Sequence, residues 1–143
     1  SDIDFSVSLF EIEKWQKRNY LQQNKQVYFG SRSHSESNVK SKFYRKIIGN
    51  FLRFLISIIL RINISDTQCG FKLYKKATAK QLFSRIKFLG YEHDIEIVIL
   101  LKKKKIHVTE LPVTWSHVPQ SKVNIIIDSC KIFIKIFFMK LKY

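Results

Sequence analysis

The sequence predicts an α/β fold in which short strands alternate with amphipathic helices. Apolar residues at helical spacing and short β-branched runs take turns along the 143 residues, an order typical of α/β proteins. Hydrophobic residues make up 45% of the chain, which is enough for a buried core and too much for a disordered protein. Four glycines and two prolines are too few for a many-turned all-β design, and two cysteines are too few for a disulfide framework. The length allows one domain or a piece of a larger one.

Four elements are predicted in the first half of the chain. Residues 8–22 have apolar side chains at near-helical spacing, with acids early and bases later, and Ser8 is a candidate N-cap. Residues 26–29 predict a short strand. Residues 31–42 are polar and show no periodicity, which predicts a mobile loop. Residues 43–62 predict a long amphipathic helix.

The second half is predicted to contain a polar break, a strand, two helices, another strand and a loop, at residues 65–70, 71–74, 77–86, 92–105, 106–115 and 116–122. The helix at 92–105 ends in four lysines, which the negative end of a helix favours. The strand at 106–115 contains Pro112, and proline within a strand indicates an edge position or a bulge.

The last predicted element is a helix over residues 124–142 with one narrow polar stripe. At about 100° per residue the stripe collects five side chains, and nearly all others are apolar. They are Asn124, Asp128, Lys131, Lys135 and Lys142. Such a helix lies either in a membrane interface, which its lysines favour, or in a protein core. The two most apolar stretches, residues 47–64 and 123–139, are both interrupted by charges and lack the roughly 20 mostly apolar residues of a membrane span.

The net charge of +15 predicts a surface that attracts polyanions. Nucleic acid, anionic lipid and phosphorylated substrates all fit, and composition does not choose among them. A nucleic-acid-binding module is one hypothesis, based on this charge and on aromatic residues such as Tyr28 and Phe43. That hypothesis does not explain the motifs described next.

Two carboxylates stand two residues apart near the start of the chain, at Asp2 and Asp4, and Ser6 lies two residues further on. In an extended chain, side chains at i and i+2 point to the same face, so both carboxylates can hold one hard divalent cation. Such a cation would bridge the phosphates of a nucleotide diphosphate. A solvated polar turn is the alternative for any isolated Asp-X-Asp.

Four further polar segments lie next to predicted elements, where binding loops are often found. Residues 30–32 (Gly-Ser-Arg) follow a strand, and an arginine offers a bidentate fork for phosphate. Residues 66–72 join a carboxylate, an amide and a cation between a long helix and a strand. Residues 91–96 place three carboxylates at a helix start, and residues 116–122 form another loop able to bind phosphate. Surface turns and acids that stabilise a helix N-terminus are the alternatives.

Taken in order, the motifs form a specific pattern. It consists of Asp-X-Asp-X-Ser, Gly-Ser-Arg after a strand, Asp-Thr-Gln-Cys-Gly-Phe-Lys, an aromatic-X-X-Asp-X-Glu helix start, and Pro-Val-Thr-Trp with Ser-Lys in the next loop. This pattern resembles the polyprenyl-phosphate sugar transferases of glycosyltransferase family 2. The glucose-transferring members that use dolichyl phosphate are most similar, and the mannose-transferring members are close. The resemblance runs from Asp2 to the end of the chain, and residues 66–72 are its most specific part.

The resemblance implies inverting transfer of a hexose from a nucleotide sugar to a polyprenyl or dolichyl phosphate. The donor would be UDP-glucose, with GDP-mannose as the alternative, and no nucleic-acid partner is expected. It further implies the C-terminal portion of a GT-A-type nucleotide-sugar transferase domain, with amphipathic membrane-interface helices on the cytoplasmic face. The resemblance also implies that these 143 residues lack a counterpart of the nucleotide-binding half that precedes Asp-X-Asp in the family. Residues 1–143 are therefore expected to be a single partial domain that is inactive alone, or a non-catalytic membrane-associated remnant.

The resemblance also implies roles for individual residues. Asp2, Asp4 and Ser6 are expected to hold Mg²⁺ or Mn²⁺. The residues expected to bind the phosphate-bearing substrates are Arg32, Arg45, Gln68, Lys72 and Lys122. Asp66 and Asp94 are the expected catalytic residues, which orient sugar, metal or cations, and Asp94 is the candidate base. A lipid monophosphate has a second pKa of about 6, so its oxygen is already anionic and needs no strong base.

Overall fold

The computed structural model describes residues 6–40, 43–88, 90, 92–116, 135–136 and 139, without the side chain of Arg45. The named helices within these residues are α1 (Glu11–Lys17), α2 (Phe43–Leu60), α3 (Lys76–Phe83) and α4 (His93–Lys103). The strands are β1 (Val27–Ser31), β2 (Asn38–Lys40), β3 (Lys72–Tyr74), β4 (Val108–Pro112) and β5 (Thr114–Ser116). Strands and helices are mixed along the chain, as the α/β prediction requires.

β1 is the central strand of a three-stranded sheet with the order β3-β1-β4. It runs antiparallel to β3 and parallel to β4, and all five of its residues are buried. β4 lies at the edge of this sheet and ends at Pro112, in agreement with the edge position predicted from that proline. A second sheet pairs β2 with β5 in parallel.

Two apolar clusters cover the two faces of β1, because alternate side chains of a strand point to opposite faces. On one face Phe29 packs in a cluster with α4, in which residues 95–101 are all buried. On the other face Tyr28 packs in a cluster with Trp15 and Phe71, whose rings meet edge to face at 5.1 Å. The core is therefore built around β1, and the candidate site begins where this strand ends.

α1 is shorter than the helix predicted over residues 8–22. It begins at Glu11, and Ser8 does not cap it: the Ser8 hydroxyl accepts from the Phe10 N–H at 3.3 Å in the turn before the helix. The helix ends before Asn19, whose φ of 54° lies in the left-handed region. Asparagine adopts this conformation more readily than other residues with a side chain, so it stops the helix early.

Two other predictions about local structure were wrong. Residues 31–42 were predicted to be a loop, but they contain β2, which exists because Asn38–Lys40 pairs with β5. The single strand predicted over residues 106–115 is divided at Val113 into β4 and β5, which belong to different sheets. Pro112 lacks an N–H group and cannot continue the ladder, so the chain leaves the first sheet there. The Val113 carbonyl instead accepts from the Asn38 N–H at 3.1 Å.

α2 carries a stripe of large apolar side chains that face outward. Its members are each more than half exposed, and they are Phe43, Tyr44, Ile47, Phe51, Phe54 and Ile58. At about 100° per residue, all six fall within an arc of about 100°. Ile56 and Leu60, on the other side of the helix, are buried in the core. Among the described residues, no helix combines the length and the hydrophobicity needed to cross a membrane.

The described residues of the predicted helix 124–142 are Lys135, Ile136 and Met139, and they are helical. Ile136 and Met139 are each 1% exposed and belong to the core cluster around α4. Lys135 forms an ion pair with Glu92, and this contact lowers the pKa of that carboxyl. At these positions the segment follows the core alternative. The remainder of the predicted helix lies outside the described residues.

Candidate active site

Polar residues converge where β1 and β4 end side by side. The two strands stay in register up to Ser31, which lies opposite Pro112, and Arg32 follows β1 directly. The segment between α2 and β3 lies against the same edge, where the hydroxyl oxygens of Ser31 and Ser65 are 3.1 Å apart. The carboxyl ends of parallel strands are where α/β proteins usually place their ligands. This edge is therefore the candidate site.

Asp66 is fully buried at this edge and is held by Arg32. Nε and Nη2 of Arg32 donate to Oδ2 and Oδ1 of Asp66 at 2.7 and 2.9 Å, and the Arg32 backbone N–H donates to Oδ2 at 2.9 Å. Bidentate pairing of this kind is the strongest arrangement for an arginine and a carboxylate. Burial raises the pKa of Asp66, but the charge and hydrogen bonds of Arg32 outweigh burial and keep it below its usual value.

The residues after Asp66 form a tight turn. The Gln68 backbone N–H donates to Oδ1 of Asp66 at 3.3 Å, a contact typical of aspartate-initiated turns. Cys69 is buried next in the chain, and burial raises the pKa of its thiol to about 11. The nucleophilic form of cysteine is the thiolate, so Cys69 is a packing residue at neutral pH.

Gly30 lies where three parts of the chain come closest together. A Cβ atom at this position would be 2.6 Å from Val113 Cγ1, 3.1 Å from the Phe71 carbonyl oxygen and 3.3 Å from Cys69 Sγ. The Gly30 N–H also donates to that carbonyl at 2.7 Å. The glycine of the Gly-Ser-Arg motif therefore allows β1 to approach the turn after Asp66, which places Arg32 within reach of the carboxylate.

Glu110 on β4 is a site residue that the sequence analysis missed. Its Oε2 accepts from the Ser65 N–H at 2.9 Å, and its Oε1 accepts from the Ser65 hydroxyl at 2.6 Å and from the Asp66 N–H at 3.0 Å. The signal in the sequence is a lone carboxylate inside a short strand, directly before the residues where that strand ends. This carboxylate attaches the Asp66 turn to the sheet.

Arg53 on α2 is the second residue near the site that was not predicted from the sequence. It lies on the buried side of the helix, about 60° from Ile56, whereas charged residues of amphipathic helices usually face water. Its Nη2 donates to Asn50 Oδ1 at 2.5 Å. Burial lowers the pKa of Arg53, the Asp66 carboxylate opposes this effect, and the charge of Arg32 adds to it. A second guanidinium therefore belongs to the electrostatic surroundings of Asp66.

Lys72 and Asp94 form a second buried ion pair. Lys72 Nζ lies 2.7 Å from Asp94 Oδ1, and the two side chains are 5% and 15% exposed. The ammonium also lies 5.0 Å from the centroid of the Phe29 ring, which stabilises it through a cation–π contact. Lys72 stands opposite Phe29 in the β1–β3 register, so this pair and the Arg32–Asp66 pair both contact β1. His93 Nε2 is 3.5 Å from the same Asp94 oxygen.

Several predicted site residues lie outside the described residues, namely Asp2, Asp4, Lys122 and the side chain of Arg45. Ser6 is described, and its carbonyl accepts from the Ser116 N–H at 3.0 Å beside β5. Among the described residues, no group of three or more His, Cys, Asp or Glu side chains is placed to hold a metal ion. The predicted metal site stays a prediction, and its carboxylate and hydroxyl oxygens are the donors that Mg²⁺ and Mn²⁺ prefer.

The arrangement combines fixed cations with carboxylates that hold them in place. Guanidinium and ammonium groups are the usual protein partners of phosphate oxygens. Because Arg32 is oriented by Asp66 and its side chain is still 20% exposed, an anionic ligand would meet a guanidinium that is already ordered. The edge is suited to binding phosphate-bearing molecules.

Comparison with known proteins identifies relatives over most of the chain. A Saccharomyces cerevisiae dolichyl-phosphate β-glucosyltransferase is 38% identical over 109 residues, which cover 73% of this chain and 32% of the yeast protein. A Trichomonas vaginalis dolichyl-phosphate β-glucosyltransferase is 35% identical over 85% of this chain and 37% of its own length. The human protein of that name is 30% identical over 86% of this chain and 40% of its own length.

The chain spans about a third of the length of the curated relatives that it matches. No family model and no solved structure matches the chain.

Proposed function

We propose that the chain belongs to the dolichyl-phosphate β-glucosyltransferases of glycosyltransferase family 2, to which it is similar over most of its length, and that it takes part in transferring glucose from UDP-glucose to dolichyl phosphate. The similarity to relatives named dolichyl-phosphate β-glucosyltransferases is the observation that carries the proposal, and UDP-glucose as the donor is part of what we propose. The Arg32 guanidinium, which Asp66 orders directly after β1 ends, supports it, because both substrates carry phosphate.

The reaction we propose needs little acid–base chemistry from the protein. An anionic oxygen of the lipid phosphate attacks the anomeric carbon of glucose, and the bond from that carbon to the nucleotide diphosphate breaks. Direct attack inverts the configuration at that carbon. The main task of the protein is to hold two anionic groups close together, and Arg32 and Lys72 are the described cations assigned to it. Asp66 and Asp94 keep these cations oriented.

A divalent cation is part of the proposal. Asp2, Asp4 and Ser6 would hold Mg²⁺ or Mn²⁺, because hard oxygen donors suit both ions. When bound, the ion would neutralise charge that develops on the leaving nucleotide diphosphate.

We expect the apolar stripe of α2 to rest on the cytoplasmic face of a membrane, where a dolichyl chain would be. The stripe presents three phenylalanines and a tyrosine to the outside, on a protein with a net charge of +15. Aromatic side chains at the level of lipid headgroups and basic residues near anionic lipid both stabilise such an arrangement.

The membrane proposal predicts that Phe51→Ser weakens binding to vesicles that contain phosphatidylserine. Burying one phenylalanine contributes about 1.5–3 kcal/mol, so the partition coefficient should fall about tenfold or more. Cosedimentation with vesicles at low and high salt measures this. Phe10→Ser is the matched control, since Phe10 is 68% exposed but lies outside the stripe. Equal losses in both variants, or no binding of the wild type at low salt, would count against the proposed orientation.

A chimera tests the proposed activity directly. In the yeast relative, the matched segment is replaced by the corresponding residues of this chain, and transfer of labelled glucose from UDP-glucose into a lipid extract is measured with dolichyl phosphate as acceptor. We expect glucosyl lipid that disappears when a chelator removes divalent cations. Parallel reactions use GDP-mannose as the donor. Transfer of mannose but not of glucose would identify a mannose-specific enzyme. A folded chimera that transfers neither sugar, beside an active yeast parent, would contradict the proposal.

Within that chimera, Arg32→Lys is expected to lower kcat/KM for the lipid phosphate. The expected loss of transition-state stabilisation is about 1.5–3 kcal/mol, the range for a hydrogen bond to a charged group. Lysine keeps the charge but loses the planar fork that Arg32 uses against Asp66. Lys80→Ala, an exposed change on α3, is the control and should behave like the wild type. Wild-type kinetics for Arg32→Lys would remove Arg32 from the acceptor site.

A further inference from the structure

We propose that Glu110 is a positioning residue, which fixes the Arg32 guanidinium by holding the turn at Ser65 and Asp66. The importance of this for catalysis rests on the proposed function, in which Arg32 binds a substrate phosphate. The positioning itself is a property of the contacts and can be tested without turnover.

The first step is the grip of Glu110 on the turn. Its two carboxylate oxygens accept three hydrogen bonds from two successive residues, the Ser65 N–H, the Ser65 hydroxyl and the Asp66 N–H, at 2.6–3.0 Å. Successive backbone N–H groups that converge on one carboxylate fix the peptide plane between them. The direction in which the Asp66 side chain leaves the backbone is fixed as a result.

The second step leads from Asp66 to Arg32. The buried Asp66 carboxylate receives two guanidinium bonds and one backbone bond from Arg32. Two parallel bonds determine the plane of the guanidinium as well as its position. A shift of the turn would therefore rotate or release Arg32.

The third step is the rigidity of the support. Glu110 lies on β4 opposite Phe29 of β1, in the parallel register that continues to Ser31 and Pro112. The Ser31 hydroxyl also contacts the Ser65 hydroxyl at 3.1 Å. The turn is thus attached to both strands from which the site is built, and Arg32 is the residue directly after β1.

A carboxylate is required at position 110 because every partner there is a donor. An ionised carboxylate offers only acceptors, whereas a glutamine amide presents an NH₂ group on one side. In Glu110→Gln, that NH₂ would replace one of the two oxygens. It would face either the Ser65 N–H, or the Ser65 hydroxyl and the Asp66 N–H. At least one backbone bond is therefore lost, with little change in side-chain volume.

The test follows the Arg32 Nε–H proton by ¹H–¹⁵N NMR in the full 143-residue chain. In Glu110→Gln, we expect its exchange with water to become about tenfold faster or more, because loss of the charge-assisted bonds loosens Asp66. The Ser65 and Asp66 amides should exchange faster as well. A general loss of stability would instead accelerate the buried amides of α4 by a similar factor.

Glu96→Gln is the matched control. Glu96 is a buried carboxylate, whereas Glu110 is half-buried, and like Glu110 it accepts backbone bonds, here from the Lys87 and Phe88 N–H groups at 2.9–3.1 Å. This change removes an equivalent clamp from a different part of the molecule. Arg32 Nε–H exchange that rises as much in Glu96→Gln as in Glu110→Gln would overturn the proposal.

Ser65→Ala provides a milder variant in case Glu110→Gln does not fold. It removes the hydroxyl contacts with Glu110 and with Ser31, and it leaves the two backbone bonds to Glu110 in place. Exchange of the Arg32 Nε–H should then increase by roughly two- to fivefold, in proportion to the loss of one neutral donor. Unchanged exchange in Ser65→Ala, together with a failure of Glu110→Gln to fold, would also count against positioning.

The activity arm repeats the transfer assay in the chimera with both carboxylate variants. Glu110→Gln should lower kcat/KM for the lipid phosphate by about tenfold, and Glu96→Gln should lower it much less. If the chimera transfers no sugar with or without the substitutions, but Glu110→Gln still accelerates exchange of the Arg32 Nε–H selectively, the proposed function fails and the positioning stands. If the wild type is active and Arg32 is unaffected by Glu110→Gln, the positioning fails and the proposed function stands.

Discussion

Asp66→Asn is expected to destabilise the protein by about 3 kcal/mol at neutral pH, since removing one partner of a buried ion pair typically costs 3–5 kcal/mol. We expect the lower end of that range because the Arg32 side chain is still 20% exposed and can regain some water. The substitution keeps the shape of the side chain and removes its charge. Urea unfolding monitored by circular dichroism gives the free energy of unfolding.

The pH dependence of the same variant has a definite sign. Because Arg32 holds the pKa of Asp66 below its usual value, the pair stabilises the fold at any pH above the ordinary aspartate pKa of about 3.9. This contribution disappears as the pH falls through the lower pKa of the folded protein. The difference between wild type and Asp66→Asn should therefore be largest near neutral pH and shrink in acid.

Glu36→Gln serves as the control for the Asp66 prediction. Glu36 also pairs with an arginine, at 2.9 Å from Arg18, but both side chains are more than half exposed. Exposed pairs contribute about 0–1 kcal/mol, so this variant should unfold almost like the wild type. An Asp66→Asn protein as stable as Glu36→Gln would show that the buried pair does not hold the turn.

Gly30→Ala is expected to destabilise the protein by about 3 kcal/mol, the upper end of the usual cost of overpacking. The added Cβ would lie 2.6 Å from a methyl group of Val113 and 3.1 Å from the Phe71 carbonyl oxygen. Val113 is 2% exposed and short, so it has little room to move aside. Thermal and urea unfolding measure the loss, and combining the change with Val113→Ala should restore part of the stability.

Gly49→Ala tests whether the cost at Gly30 is steric. Gly49 lies within α2, and a Cβ there would meet only the flexible end of Arg53, at 3.3 Å. Alanine is favoured over glycine in a helix by about 0.8–1 kcal/mol, so this variant should be neutral or more stable. Equal destabilisation by both substitutions would mean that the close approach at Gly30 is not what matters.

The elements that could be predicted are those whose own residues determine them. α2 was predicted to within two residues because its apolar side chains repeat at helical spacing over 18 residues. β1 was found from a short apolar run between polar segments. β2 could not be found in this way, because Asn38–Lys40 has no strand pattern and is extended only through its pairing with β5.

The candidate site was predictable in composition but not in its pairing. Motifs and their order placed Arg32, Asp66, Lys72 and Asp94 among the candidates. Nothing in the sequence assigns Arg32 to Asp66 or Lys72 to Asp94, because these partners come from separate elements that only the tertiary fold brings together. Glu110 was missed for the same reason. The roles predicted for these residues in catalysis stay predictions.

The position of β1 has a consequence for how the protein is made. Phe29 pairs with Lys72 on one side and with Glu110 on the other, which are more than 40 and about 80 residues later in the chain. The ribosome therefore releases the central strand long before either neighbouring strand has been synthesised. Until then its five residues, all buried in the folded protein, remain unpaired or bound to a chaperone. Such distant pairing slows folding, since a large loop must close before the contacts form. Completion of the sheet, and with it the ordering of Arg32, is a late event that depends on synthesis reaching the end of β4.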